Sequence, residues 1–209
     1  MNNIVSRLLH LKKSGVDLEC ALDIGAYRNE FTNILKSIWP YIKVQQFEAD
    51  ERQQKYLEKD AHIVVLGDSE RLVDLYTVED SGRGSTTGTS VFKENTVFYQ
   101  NPIKKTCQMK TLDSVVDMSG DWSKGLVKID TQGSELLILK GATEFLKNNP
   151  KYILLECSFV EYNQGAPLIA DVIKYMDSIG YRPIDIVDLN YIDNQLIQCD
   201  CLFQKCINT

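Results

Sequence analysis

The chain is predicted to be an α/β protein: a mostly parallel sheet with helices on both faces and an antiparallel hairpin at the end. Three observations predict it. Short apolar runs alternate with segments of helical period, which is the pattern of βαβ units. The last two strand-like runs, "YRPIDIVDL" and "NQLIQCDCLFQ", are separated only by the short turn "NYIDN", so they pair as a hairpin. No internal repeat or long Pro- or Ser-rich linker divides the 209 residues, so 1–209 is expected to be one domain. A chain of this length can bury roughly 70% of its unfolded surface.

The start, "MNNIVSRLLHLKKSG", spaces Ile4, Val5, Leu8, Leu9 and Leu11 as one face of a helix, giving an N-terminal helix within 1–18. Arg7 and His10 interrupt it, and it lacks the cleavage site of a signal peptide. "CALDI" is a first strand, followed by a helix bearing Phe31, Ile34, Leu35 and Ile38 that Pro40 stops. "KVQQFE" is a second strand. "DERQQKYLEK" is expected to be helical, because its acidic start and basic end suit the helix dipole. "AHIVVLGD" is a third strand and "GLVKID" a fourth. "SELLILKGATEFLKN" then puts Leu136, Leu139, Ala142, Phe145 and Leu146 on one helical face. "KYILLEC" is a fifth strand, before a helix near 166–179 with Pro167 early and Gly180 just past its end. Residues 81–105, rich in Gly, Ser and Thr, show no helical period. They form either a surface excursion or a substrate-side loop. A mostly parallel, seven-stranded sheet closing in a hairpin is the arrangement of Rossmann-like class I methyltransferases.

Composition narrows the function. The net charge of −6 opposes a phosphate-backbone binder, so no nucleic-acid partner is expected. The longest apolar runs are too short for a transmembrane segment. The six cysteines carry no mark of secretion, so reduced thiols and a cytoplasmic location are expected. "CDCLFQKC" has no His to complete a zinc site and reads as buried thiols in a last strand. His10 lies in the first helix and His62 at the start of the third strand, so neither is placed as a general base.

Ligands of such sheets bind beyond the carboxyl ends of the strands. The residues ending the strands here are Asp23, Glu48, Asp68, Asp130 and Glu156, all acidic. In "ALDIGAYRNEF", Gly25 follows Asp23 without the second and third glycines of a dinucleotide loop. A pyrophosphate would meet like charge at Asp23 and Glu30. S-adenosylmethionine, with an amino group and a sulfonium, would not. Glu48 follows Asp23 by 25 residues, the spacing of a carboxylate that accepts ribose hydroxyls. NAD and S-adenosylmethionine sites share that spacing, and a helix cap is the bland alternative, with Asp50 also available for it. Asp68 either accepts an adenine amino group or caps a turn. Asp130 and Glu156, on adjacent strand tips, can orient a hydroxyl and take its proton, or hold a divalent cation that acidifies it. Asn163 hydrogen-bonds a polar substrate or serves a turn.

The runs "LDIGAYRNEFT", "FEAD", "LGDSE", "KTLDSVV", "LVKIDTQGSELLILKGA" and "ILLECSFVEYNQGAP" resemble, in order and spacing, the FkbM-type S-adenosylmethionine-dependent methyltransferases. The likeness runs from about residue 20 to 203. It implies O-methylation, commonly of sugar or polyketide hydroxyls, with S-adenosylhomocysteine as product. By the resemblance, Asp23, Gly25 and Ala26 match the first cofactor loop and Glu48 the ribose carboxylate. Asp68 matches the adenine-side acid, with Ser69 beside it, and Asp130 the acid near the transferring methyl. The family usually reads Asn, any residue, Gly after "GA". This chain has Tyr27, Arg28 and Asn29, and Asn29 can take the Gly's positive φ. Tyr27 either covers the cofactor's methionine end or narrows the pocket, and Ala49 replaces a Pro. The expected protein is therefore an O-methyltransferase acting on a small-molecule or glycan acceptor. A binding module without catalysis and an NAD-dependent oxidoreductase are the alternatives.

Overall fold

A computed structural model describes residues 3–82 and 86–206. Met1 and Asn2 of the expected first helix, and residues 83–85 of the 81–105 segment, lie outside the described residues. Helix α1 (Ile4–Lys13) starts at Asn3, whose side chain accepts from the Ser6 amide at 2.9 Å. Strands β1 (Cys20–Ile24) and β2 (Lys43–Glu48) flank helix α2 (Glu30–Ile38). Two short strands follow, β3 (His62–Ile63) and β4 (Val65–Gly67), then β5 (Arg71–Thr77) and β6 (Ile103–Thr111). The second half of the chain is β7 (Gly125–Ile129), α3 (Glu135–Lys140), β8 (Tyr152–Ser158), α4 (Ile169–Ser178), β9 (Tyr181–Ile192) and β10 (Gln195–Lys205).

The main sheet has seven strands in the order β3-β2-β1-β7-β8-β10-β9. All pairs from β3 to β8 are parallel, while β10 runs antiparallel to both β8 and β9. This is the Rossmann-like class I methyltransferase arrangement that the sequence predicts. The hairpin turns at Asp193 and Asn194, both at positive φ (47° and 64°), as a tight two-residue connection requires. One face of the sheet packs on α3 and α4 through Leu22, Val127, Ile138, Phe145, Ile153 and Met176. The other packs on α1 and α2 through Leu8, Leu35, Leu126 and Leu154.

Three elements differ from the sequence expectation. "DERQQKYLEK" forms a 3-10 helix (Glu51–Tyr56), not an α-helix; its few apolar residues offer no stripe to bury. The helix expected over 134–148 breaks after Lys140 and resumes as a 3-10 turn at Phe145–Asn148. There Gly141 presses on β4: a Cβ would lie 2.0 Å from the Gly67 carbonyl oxygen. Asp113 caps the resumed turn by accepting from the amides of Glu144 (2.9 Å) and Phe145 (2.8 Å). The third strand splits at Val64, and β4 leaves the main sheet for a second, three-stranded one, β4-β6-β5.

All six cysteines are unpaired, with Cys157, Cys199 and Cys201 buried under α3 and α4. No helix among the described residues is long and apolar enough to cross a membrane.

Candidate active site

A cavity of about 590 Å³ lies at the carboxyl ends of β1, β2, β7 and β8. Its first wall is the turn after β1. Gly25 has φ of 78°, and a Cβ there would lie 1.8 Å from the Asp130 carbonyl oxygen. The glycine is therefore demanded by the close approach of the β7 tip as well as by its place in the cavity wall. The amides of Gly25 and Ala26 both donate to the Phe47 carbonyl, at 2.9 and 3.1 Å. Tyr27 and Asn29 continue in the left-handed region at φ 45° and 65°, so Asn29 does take the conformation of the absent Gly. Its side-chain oxygen accepts from Gln46 at 2.6 Å, which helps hold it there. The Tyr27 ring lies 5.2 Å from the Arg28 guanidinium, itself 4.7 Å from the Tyr56 ring.

Glu48 forms the next wall. One carboxylate oxygen accepts from the Tyr27 amide and the other from the Asp50 amide, each at 2.8 Å. Burial pushes its pKa up. Each oxygen still has a lone pair for a hydroxyl donor. Asp50 is the helix cap, accepting from the Arg52 amide at 3.1 Å and pairing with its guanidinium at 2.7 Å. Ala49 lines the cavity beside them, and Val64, Val65 and Leu66 make an apolar side.

The floor is carboxylate-rich. Lys128, buried on β7, donates to the Gly25 carbonyl at 2.9 Å and pairs with Asp130 at 3.3 Å and Asp23 at 3.6 Å. These acids outweigh its burial and raise its pKa. Glu135 gathers the turn after β7, accepting from the Thr131 and Gly133 amides at 2.8 and 3.2 Å. Burial lifts its pKa to about 7. Gln132, at φ 57°, donates its amide to Glu156 at 2.7 Å and to Asp130 at 3.4 Å. Across from Glu156 in the register stands Asp200 of β10, and Gln198 donates to Glu156 at 3.0 Å. Burial first, then the Asp130 charge beside them, raises the pKa of both Glu156 and Asp200.

The structure thus brings together Gly25, Ala26, Tyr27, Glu48, Ala49, Asp130 and Glu156 of the expected residues. Four others stand apart. Asp23 is fully buried and is not part of the cavity wall. Its carboxylate accepts from the amide and hydroxyl of Thr32, at 3.2 and 2.7 Å, in the first turn of α2. Asp68 and Ser69 also lie outside the wall, because β4 has turned away to pair with β6; both are engaged by Arg71. The Arg71 hydrogen bond lowers the Asp68 pKa. Asn163, buried, donates to the Phe92 carbonyl at 3.1 Å and anchors the 86–94 segment rather than facing the cavity. That segment does line it, through residues 86–91 and Glu94.

Sequence reasoning missed Lys128, Gln132, Gln198 and Asp200. A Lys inside the apolar run "GLVKI" was the signal for the first. For Asp200 the signal was "CDC", where alternation turns the Asp away from the face that buries the thiols. Among the described residues no group of three or more His, Cys, Asp or Glu is arranged to hold a metal. The glycine turn and the Glu48 carboxylate fit a cationic nucleoside such as S-adenosylmethionine.

The fold and cavity define a class I methyltransferase domain. The family model of the methyltransferase FkbM domain matches residues 23–183, and the chain belongs to that family. Among solved structures it is similar to a methyltransferase FkbM from Methylobacillus flagellatus, with 17% identity and a TM-score of 0.55. That match covers 90% of this chain and 44% of the other, so the chain spans less than half the length of that protein. It is also similar to a magnesium protoporphyrin IX methyltransferase from Synechocystis, solved with S-adenosylmethionine bound. There the identity is 8% and the TM-score 0.52, over 97% of this chain and 76% of the other. At these identities the likeness is one of fold. No curated protein matches the chain.

Proposed function

We propose that the chain is an S-adenosylmethionine-dependent O-methyltransferase, releasing S-adenosylhomocysteine and acting in the cytoplasm on a hydroxyl of a sugar, glycan or secondary metabolite. One observation carries the reading. A single cavity is lined by Glu48, the Gly25 turn, Asp130 and Glu156 together. Glu48 would accept the ribose hydroxyls. Ala26, Tyr27 and Ala49 would flank the nucleoside, with Val64, Val65 and Leu66 against the base. The segment of residues 86–91 and Glu94 would close the acceptor side.

The methyl donor supplies the electrophilic carbon when bound. The chain's part is to hold an acceptor hydroxyl in line, and positioning of this kind is worth up to ~7–11 kcal/mol of barrier. Asp130 and Glu156 would orient that hydroxyl at the acid-lined part of the cavity. Hydrogen-bond acceptors dominate the cavity floor, which supports a donor-rich acceptor such as a polyol over a phosphorylated one. Tyr27 and Asn29, the basis for a module without catalysis, hold the left-handed turn that aims the Tyr27 amide at Glu48.

The test is methyl transfer from radiolabelled S-adenosylmethionine to a panel of methyl glycosides. Label should appear in at least one ether product, and Asp130→Ala should cut that turnover at least about tenfold. Near-full activity of Asp130→Ala would remove Asp130 from the reacting end.

A further inference from the structure

Asp130, Glu156 and Asp200 stand at one level of three neighbouring strands. Ile129 pairs with Leu155 across β7 and β8, and Glu156 pairs with Asp200 across β8 and β10. All three line the cavity, but their partners differ. Asp130 is paired with Lys128 at 3.3 Å and takes the Gln132 amide at 3.4 Å. Glu156 accepts from Gln132 and Gln198 on the same oxygen, at 2.7 and 3.0 Å. The Asp200 carboxylate is half-buried and accepts no hydrogen bond from any described residue.

A hydrogen bond or cation at a carboxylate stabilises the anion and lowers its basicity. Among the described residues, Asp200 alone in the row has no hydrogen-bond donor on its carboxylate, so it keeps its lone pairs for a ligand. Resting on the methyl-transfer reading above, we propose that Asp200 is the catalytic residue that takes the acceptor hydroxyl's proton, with Glu156 as a positioning residue across the strand pair.

The step balances. The acceptor oxygen forms a bond to the methyl carbon while the carbon–sulfur bond breaks. That bond's electron pair goes to sulfur and neutralises the sulfonium. The hydroxyl proton passes to Asp200, leaving an ether, a thioether and a carboxylic acid that returns its proton to solvent. The groups facing Asp200 are Glu156 of β8, Asp130 and Lys128 of β7, Asp188 of β9 and Glu135 of α3. Burial and the acids hold its protonated form, and Lys128 opposes them. A sulfonium entering the cavity adds a second cation and favours the carboxylate, so the base is charged when the donor arrives.

The test uses the full chain and compares Asp200→Asn and Asp200→Glu with the wild type. Calorimetry with S-adenosylhomocysteine should give all three proteins dissociation constants within threefold. With radiolabelled donor and the methyl glycoside panel, Asp200→Asn should lose turnover at least a hundredfold and Asp200→Glu should recover part of it. The wild-type kcat/KM should rise with pH to a plateau, and the residual activity of Asp200→Asn should lose that rise. Carboxyl-carbon NMR reads the same group without an acceptor: Asp200 should titrate above the ordinary aspartate range and move down on adding S-adenosylmethionine. Turnover of Asp200→Asn within threefold of wild type, or an ordinary Asp200 titration that ignores the donor, overturns the proposal while donor binding stands. A wild-type chain that binds neither donor nor product overturns the methyl-transfer reading itself.

Discussion

At the tip of β1 the carboxylate of Asp23 accepts from both the amide and the hydroxyl of Thr32 and lies 3.6 Å from the Lys128 ammonium. Lys128 in turn holds the Gly25 carbonyl, so these residues bolt the β1 turn to the β7 tip behind the cavity. Asp23 therefore acts on the ligand only through the turn it supports. Asp23→Ala removes one member of a buried pair and leaves Lys128 with less compensation, a change that costs roughly 3 kcal/mol. Urea unfolding should show that loss, and a change below about 1 kcal/mol would contradict the role given to the pair. Sequence could place Asp23 at a strand end but not aim its carboxylate. That direction depends on Thr32 and Lys128, residues 9 and 105 positions away. Asp68 shows the same, since Arg71 takes a side chain that looked as available as Glu48.

The second sheet decides the base side of the cavity at the level of elements. Met109 of β6 is fully buried, and a Cβ on Gly67 would lie 2.3 Å from its sulfur. It packs with Val65 and Leu75, which also line the cavity. Met109→Ala should destabilise the chain by about 2–5 kcal/mol. It should also weaken S-adenosylhomocysteine binding measured by calorimetry. Unchanged binding alongside the expected loss of stability would separate this sheet from the site. The main sheet was legible because each of its strands is a short apolar run punctuated by Gly, Pro or charge. β5 and β6 were not, since "RLVDLYT" and "IKKTCQMKT" face solvent along much of their length and carry few core residues. The 86–94 segment drew notice by composition alone. Its position over the cavity comes from long-range links, such as Ser90 to the Gln132 carbonyl at 2.8 Å.

Buried carboxyls give the whole molecule an unusual response to pH. Glu135 has a pKa raised from 4.5 to about 7, and those of Glu156 and Asp200 are raised as well. An acid whose pKa is higher folded than unfolded adds stability below its unfolded pKa and loses it as pH climbs through the folded one. Glu135 alone is worth about 3 kcal/mol across that window. The Asp68 shift runs the other way but acts only below the ordinary aspartate range, near pH 4 and lower. Scanning calorimetry should therefore give a Tm several degrees lower at pH 8 than at pH 5, by about 2–4 °C per kcal/mol. Glu135→Gln should flatten that slope, and a Tm that rises over the same range would contradict the buried-acid account. The central claim is that this acid-floored cavity binds S-adenosylmethionine through Glu48. Calorimetric titration of wild type and Glu48→Ala with S-adenosylmethionine tests it most directly. The account predicts saturable one-to-one binding to the wild type, weakened at least about tenfold in Glu48→Ala by loss of hydrogen bonds to a charged group. No heat of binding to the wild type at millimolar S-adenosylmethionine, or equal affinity in both proteins, would contradict it.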